Sequence, residues 1–162
     1  MGNTETALPS AARPAAPPRR APPSSPARPM PWTKPKACHG SCYLVWRYLT
    51  RGRDGSERAL AADYHNISDE GAWWRQMDET RSAFGHDLPT SRGRPRSYSH
   101  YVIAPDPRDF DGLEPEEGLR RVRALACGWV SRYLDDYEVA VVYHGDGANG
   151  NIHAHVVANV TN

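Results

Sequence analysis

Three histidines near the C-terminal end of the chain have the spacing of a metal site. His153 and His155 lie two residues apart in an alternating apolar segment, so both belong to one face of a strand. His144 ends an earlier apolar segment, and a loop rich in Gly and Asn can return it to the same end of a sheet. Three imidazoles leave coordination positions open, as in catalytic zinc sites. Asp146 could accept the second ring N–H of a ligand histidine.

The string from His144 to Asn159 resembles the metal motif of conjugative relaxases, the mobilisation nucleases of the HUH endonuclease class. In that family a strand ends in His-x-Asp or His-x-Glu, and a loop then leads to His-x-His, two apolar residues and often Asn. The resemblance covers about residues 40–162. It implies that His144, His153 and His155 bind a divalent ion, with Mn²⁺ or Mg²⁺ favoured and Zn²⁺ as the alternative. It also implies a catalytic role for Asp146.

The same resemblance implies a tyrosine nucleophile that becomes joined to a 5′ phosphate of single-stranded DNA. No tyrosine follows His155, so the nucleophile must precede the motif, as in relaxases. The segment Tyr-Leu-Thr-Arg that begins at Tyr48 resembles the one that carries this tyrosine in mobilisation relaxases. Tyr48 is therefore the first candidate, ahead of Tyr43 and Tyr64. The alternative is that Tyr48 is an ordinary core residue of an amphipathic helix.

Basic side chains beside Tyr48 and in a later polar loop are candidates for holding DNA phosphates. They are Arg47, Arg51, Arg53 and Arg94. His100 lies in the apolar segment 98–104, where it could support the metal site from a neighbouring strand or be a core histidine. The Cys-His-x-x-Cys motif at 38–42 has no second ligand pair at a suitable spacing, which argues against zinc there.

Apolar periodicity and end signals predict the elements that must position these residues. We expect helices at 43–51, 68–84 and 114–134, and strands at 58–64, 98–104, 138–143 and 152–160. Ser68 is the expected cap of the second helix, and Trp73, Trp74, Met77 and Phe84 form its expected apolar stripe. Because strands joined by a short loop are antiparallel, we predict an α+β fold with an antiparallel sheet packed with helices. The resemblance implies that this is a relaxase-like palm.

Residues 1–36 and 37–162 differ in composition. The first range holds ten of the fifteen prolines, six basic residues and one acidic residue, and we predict a disordered basic arm. The second holds 14 basic and 18 acidic residues and is long enough for one compact core. The resemblance implies that 37–162 is a relaxase-like nuclease domain, either complete or incomplete. A net negative charge is unusual for a DNA-binding domain, but the basic residues are clustered.

Several classes of protein are excluded by simple features of the 162-residue chain. It has no apolar run that could span a bilayer and no signal-peptide pattern, so we expect a soluble, cytoplasmic protein without a membrane partner. Its three cysteines do not indicate a disulfide framework.

We therefore predict a metal-dependent relaxase that nicks single-stranded DNA at a plasmid or mobile-element transfer origin, with relaxosome accessory proteins as further partners. Relaxases usually continue beyond the position that corresponds to Asn162. For this reason a catalytically inactive, truncated relaxase that binds DNA or a relaxosome partner is the main alternative. A metal-dependent hydrolase that uses an activated water is the third.

Overall fold

A computed structural model of the chain describes residues 36–147 and 150–162. This part has an α+β fold in which helices cover a five-stranded antiparallel sheet, as predicted. The predicted disordered arm over 1–36 lies outside the described residues except for Lys36, which begins the first strand.

The strands are β1 (Lys36–Cys38), β2 (Ala61–His65), β3 (Tyr98–Ile103), β4 (Val139–His144) and β5 (His153–Asn159), and the helices are α1 (Tyr43–Thr50), α2 (Trp73–Ala83) and α3 (Pro115–Tyr133). The order in the sheet is β1-β3-β5-β4-β2. β4 and β5 form the central hairpin, which is paired from Val139 with Ala158 to His144 with His153. Strand β1 was not predicted, because three residues are too few to show an alternating pattern.

Both faces of the sheet are covered, so the central strands are apolar on both sides. One face packs against α3 through Val139, Val141, Tyr143, Ala154, Val156 and Ala158. The other face packs against α1 and α2 through Tyr98, Ala140, Val142 and Val157. The three histidines belong to this second face, at one end of the hairpin, where their polar rings are enclosed by the packing of α1.

The second helix differs from its prediction at both ends. Asp69, rather than Ser68, caps the entry, because the chain enters α2 through a 3₁₀ turn and the Asp69 carboxylate accepts the N–H of Ala72. Trp73 and Met77 are fully buried as predicted. Phe84 is 64% exposed, since it follows the last helical residue and no longer lies on the packed stripe.

Helix α3 is the longest helix of the described part and is amphipathic. Val122, Ala126 and Val130 are buried against the sheet. Leu125 lies at the border of this stripe and is 42% exposed. Among the described residues, no helix combines the length and the apolar character that a bilayer crossing requires.

Candidate metal centre

The three predicted ligand histidines lie together at one end of the β4–β5 hairpin. His144 and His153 are cross-strand partners, and His155 lies two residues further along β5 on the same face. One ring nitrogen from each lies within 4.8 Å of the others, so the group can hold a metal ion. In the ranges 36–147 and 150–162 it is the only such group of histidine, cysteine and acidic side chains.

Backbone carbonyls fix the outer ring nitrogens of two of these histidines. His144 Nε2 lies 2.7 Å from the carbonyl oxygen of Leu49, at the end of α1. His153 Nδ1 lies 3.2 Å from the carbonyl oxygen of Asn151, in the hairpin loop. A carbonyl can only accept, so these nitrogens donate, and the opposite nitrogens carry lone pairs in the neutral rings. The lone pairs are those of His144 Nδ1 and His153 Nε2, which point toward the centre of the cluster.

The third ligand histidine, His155, contacts two other imidazoles. His155 Nε2 lies 3.2 Å from His153 Nε2, and His155 Nδ1 lies 2.9 Å from His100 Nε2 in the neighbouring strand β3. The separation of the His153 and His155 Nε2 atoms is about that of two nitrogen ligands that each lie about 2.1 Å from one ion. Because His100 contacts the outer nitrogen of His155, it lies where a residue that orients this ligand would lie. That supporting role stays a prediction.

The buried nitrogen of His144 is the clearest sign that the cluster fits a cation. Among the described residues, the buried His144 Nδ1 has no hydrogen-bond partner, a state that costs about 1–3 kcal/mol for a polar group. Burial lowers the pKa of His144 and of His100. Burial and the neighbouring imidazoles lower the pKa of His155 to about 3. His144 and His155 are therefore neutral at pH 7, as ligands of a first-row divalent ion must be.

Asp146 does not make the predicted contact with an outer ring N–H, because backbone carbonyls face those nitrogens of His144 and His153 and His100 faces that of His155. Instead, Asp146 Oδ1 lies 3.9 Å from His144 Nδ1 and 3.9 Å from His153 Nε2, the two inward nitrogens. Its other oxygen accepts hydrogen bonds from Arg58. Burial opposes ionisation, but the Arg58 guanidinium holds the pKa of Asp146 below its usual range. The centre thus has a charged carboxylate beside its imidazoles.

Gly147 lets the hairpin loop close against the centre. A Cβ at this position would lie 2.7 Å from the carbonyl oxygen of Asn151 and 3.2 Å from His153 Nδ1. The first distance is shorter than any ordinary contact, so a larger residue must displace the Asn151 carbonyl. Glycine therefore preserves the hydrogen bond that orients the His153 ring.

Tyr48 extends from α1 beside the cluster. Its ring centroid lies 6.3 Å from that of His155, edge-on, and its side chain is 53% exposed. The guanidinium carbon of Arg58 lies 4.9 Å from the centre of the Tyr48 ring. Helix α1 buries Val45 and Leu49 instead. The alternative in which Tyr48 is a core residue is therefore wrong.

The other tyrosine candidates lie elsewhere. Tyr43 stacks on Trp46 with ring centroids 5.4 Å apart and meets the edge of Trp74 at 5.1 Å. Tyr64 pairs with Ala140, in the half of β4 remote from His144, and burial raises its pKa. The structure therefore brings Tyr48, rather than Tyr43 or Tyr64, to the histidines.

Three of the four candidate arginines lie near Tyr48. Arg47, Arg51 and Arg53 are exposed and line one surface depression together with Tyr48. Arg94 is also exposed, but it lines a different depression, between α2 and the loop before β3, which includes none of the three histidines. The basic surface beside Tyr48 therefore includes Arg47, Arg51 and Arg53 but not Arg94.

Sequence reasoning missed Arg58, which contacts both Asp146 and Tyr48. The sequence places it only at the start of an expected strand. Its position follows from strand order: extending the pairing of Ala61 with Tyr143 outward puts Arg58 opposite Asp146. The only available signal was a basic residue ahead of a strand that pairs next to His144.

No family model, curated protein or solved structure matches the chain. The chemistry of the site therefore has to be argued from its residues. Imidazoles beside a carboxylate, next to an exposed phenol and basic side chains, can bind a divalent cation and an anionic substrate at one place.

Proposed function

We propose that the protein is a metal-dependent relaxase that nicks single-stranded DNA and becomes joined through Tyr48 to the new 5′ phosphate. Its sheet and helices would then correspond to the palm of the HUH class, as the motif resemblance implies. The observation that supports the proposal most is the edge-on placement of the exposed Tyr48 ring beside His155 of the three-histidine cluster.

The cluster would hold the ion that this chemistry uses. His144, His153 and His155 would be its ligands, with Mn²⁺ or Mg²⁺ favoured by the phosphoryl chemistry and Zn²⁺ compatible with the imidazoles. When bound there, the ion supplies Lewis-acid polarisation of a non-bridging phosphate oxygen. Asp146 Oδ1, on the inward side of the cluster, would help to orient the ion.

The covalent step belongs to Tyr48. Its hydroxyl oxygen attacks the scissile phosphorus, so that an O–P bond forms while the bond to the 3′ oxygen breaks. The phenol proton passes to solvent, and the departing 3′ oxygen takes up a proton. Because one phosphodiester replaces another, the reaction can run backward and rejoin the strand after transfer at a plasmid or mobile-element origin.

The arginines beside Tyr48 would hold the phosphates that flank the scissile one. Arg47, Arg51 and Arg53 line the same depression as the nucleophile. The net charge of residues 37–162 is negative, with 14 basic and 18 acidic residues, yet the local field of a basic groove decides where DNA binds. Relaxosome accessory proteins are proposed as further partners.

A covalent capture experiment tests this proposal. The full chain with Mn²⁺ is incubated with a randomised pool of single-stranded oligonucleotides labelled at the 3′ end. After denaturation, DNA that stays attached to the protein is quantified and sequenced. We expect an adduct with an enriched sequence for the wild type and none for Tyr48→Phe. The control Tyr133→Phe, at an exposed position on α3, should form the adduct normally.

Each other outcome selects a different function. Adduct formation by Tyr48→Phe would show that another tyrosine is the nucleophile. Strand cleavage without an adduct, equal in Tyr48→Phe and the wild type, would indicate a hydrolase that uses water. DNA retention without cleavage would indicate a binding module.

A further inference from the structure

Arg58 lies between the helix that carries Tyr48 and the loop that carries Asp146. It precedes β2, and its backbone N–H donates to the carbonyl oxygen of Thr50 at 3.1 Å, which anchors it at the end of α1. The outward extension of the β2–β4 pairing brings its side chain to Asp146. The backbone of Arg58 is thus hydrogen-bonded to the end of α1, and its side chain is hydrogen-bonded to Asp146.

One guanidinium contacts both functional side chains. Nε donates to Asp146 Oδ2 at 2.8 Å, and Nη2 lies 2.7 Å from the same oxygen. Nη1 donates to the backbone carbonyl of Tyr48 at 3.1 Å, while the guanidinium carbon lies 4.9 Å from the centre of the Tyr48 ring. Burial opposes the charge, but hydrogen bonds to Asp146 and Tyr48 raise the pKa of Arg58 above its usual value.

These contacts determine which oxygen of Asp146 faces the histidines. Nε and Nη2 of Arg58 both contact Oδ2 of Asp146. Oδ1 is therefore left at 3.9 Å from His144 Nδ1 and from His153 Nε2. The Asp146 side chain is 48% exposed, and without Arg58 it would be free to rotate into water. Only a planar guanidinium can make these contacts from one rigid group, because a lysine ammonium is a single point charge.

We propose that Arg58 is a positioning residue that directs Asp146 Oδ1 toward the three-histidine centre and holds the Tyr48 ring beside His155. The part that concerns Tyr48 rests on the proposed function. The part that concerns Asp146 requires only that the centre binds a cation.

A double-mutant cycle on Mn²⁺ affinity tests the second part without DNA. Calorimetry compares the full-length wild type, Arg58→Gln, Asp146→Asn and the double variant. If the two charges act independently at fixed positions, their effects on the dissociation constant multiply. If Arg58 positions Asp146, Asp146→Asn weakens Mn²⁺ binding about tenfold when Arg58 is present and at most about twofold when it is Gln.

Equal effects of Asp146→Asn in the two backgrounds, or a larger effect without Arg58, would overturn the proposal. Absence of Mn²⁺ binding by the folded wild type would overturn it as well, together with the metal centre. Arg120→Gln removes an exposed charge from α3 and is the control, whose Mn²⁺ affinity should equal that of the wild type.

The covalent capture assay tests the part that concerns Tyr48. In Arg58→Gln, the rate of adduct formation at saturating DNA should fall about thirtyfold while the apparent KM changes by at most about twofold. Arg58→Lys should recover only part of this rate. A higher KM at an unchanged rate would mean that Arg58 binds DNA and does not position Tyr48. If even the wild type forms no adduct, the proposed function fails, while the Mn²⁺ cycle still decides whether Arg58 positions Asp146.

Discussion

Two polar clusters lie at opposite ends of the β4–β5 hairpin, on the face that packs against α1 and α2. One surrounds Glu138, just before β4. Its Oε1 accepts hydrogen bonds from Gln76 Nε2 at 2.9 Å and Thr80 Oγ1 at 2.8 Å, and its Oε2 accepts one from Asn159 Nδ2 at 2.7 Å. The other is the histidine cluster, which includes an imidazole nitrogen that has no hydrogen-bond partner in residues 36–147 and 150–162.

The Glu138 cluster satisfies its own polar atoms. Asn159 Nδ2 also donates to the carbonyl oxygen of Met77, and its side-chain oxygen accepts the N–H of Val160. Gln76 uses its oxygen to accept the N–H and the hydroxyl of Ser68. The cluster therefore fastens α2 to the hairpin, and its role is structural.

The histidine cluster is enclosed, but its polar atoms are not all hydrogen-bonded. Within the described part of the chain, His144 Nδ1 has no hydrogen-bond partner, and the Nε2 atoms of His153 and His155 face each other at 3.2 Å. A buried polar network that is only partly satisfied is costly, so a folded chain that retains one gains from a ligand that completes it. Unmet hydrogen-bonding capacity, rather than burial of polar groups as such, therefore distinguishes the histidine cluster from the Glu138 cluster.

The largest expected effect on stability comes from disrupting the Glu138 cluster. Asn159→Ala should lower the free energy of unfolding by about 2–4 kcal/mol, because the Glu138 carboxylate and the Met77 carbonyl lose a donor. Urea denaturation measures this loss. The folded variant should bind Mn²⁺ within about twofold of the wild type, and a parallel loss of affinity would show that the clusters are not independent.

In the metal-free protein, the buried histidines should make the free energy of unfolding depend on pH. The unfolded histidines take up protons below pH 6.5, whereas folded His155, with its pKa lowered to about 3, does not, and the lowered pKa values of His144 and His100 act in the same direction. Because the unfolded state binds more protons, the free energy of unfolding falls as pH falls, by about 1 kcal/mol per pH unit for a fully shifted histidine.

Urea denaturation between about pH 6.5 and pH 5 measures this slope, above the range in which most carboxyl groups titrate. His155→Gln should make the slope shallower, because the folded and unfolded states then differ by one fewer histidine proton. An equal slope in the variant would contradict the assignment of His155 as a neutral, buried imidazole.

A smaller effect is expected from the loop. Gly147→Ala should weaken Mn²⁺ binding about tenfold, since the added methyl group displaces the carbonyl that orients His153. Gly128→Ala is the matched control: its Cβ has nothing within 4 Å, and it lies inside α3. It should stabilise the fold by about 0.5–1 kcal/mol and leave the Mn²⁺ affinity unchanged. Calorimetry distinguishes the two, and equal affinities would show that the loop does not position His153.

The hairpin that carries the site could be predicted from the sequence. Strands were expected at 138–143 and 152–160 and are observed at Val139–His144 and His153–Asn159. Strict alternation and a loop rich in Gly and Asn are local signals, and they also place His153 and His155 on one face. The proximity of the three histidines followed from this hairpin alone.

Other features depend on contacts between distant segments. In α1, Leu44 and Tyr48 have the same four-residue spacing as Val45 and Leu49, so periodicity does not tell which pair is buried. Only the packing of α1 against α2 and the sheet decides this. The position of Arg58 depends on strand order, and the inward nitrogen of each imidazole depends on side-chain rotamers, which no sequence pattern encodes.

Every role proposed for these residues rests on the claim that the histidine cluster binds a divalent cation. The most direct test is calorimetric titration of Mn²⁺ into the full-length protein beside the double variant His153→Ala, His155→Ala, with circular dichroism to show that both are folded. We predict saturable binding to one site in the wild type and none in the variant. A folded wild type that does not bind Mn²⁺, or a variant that binds it equally well, would contradict the claim.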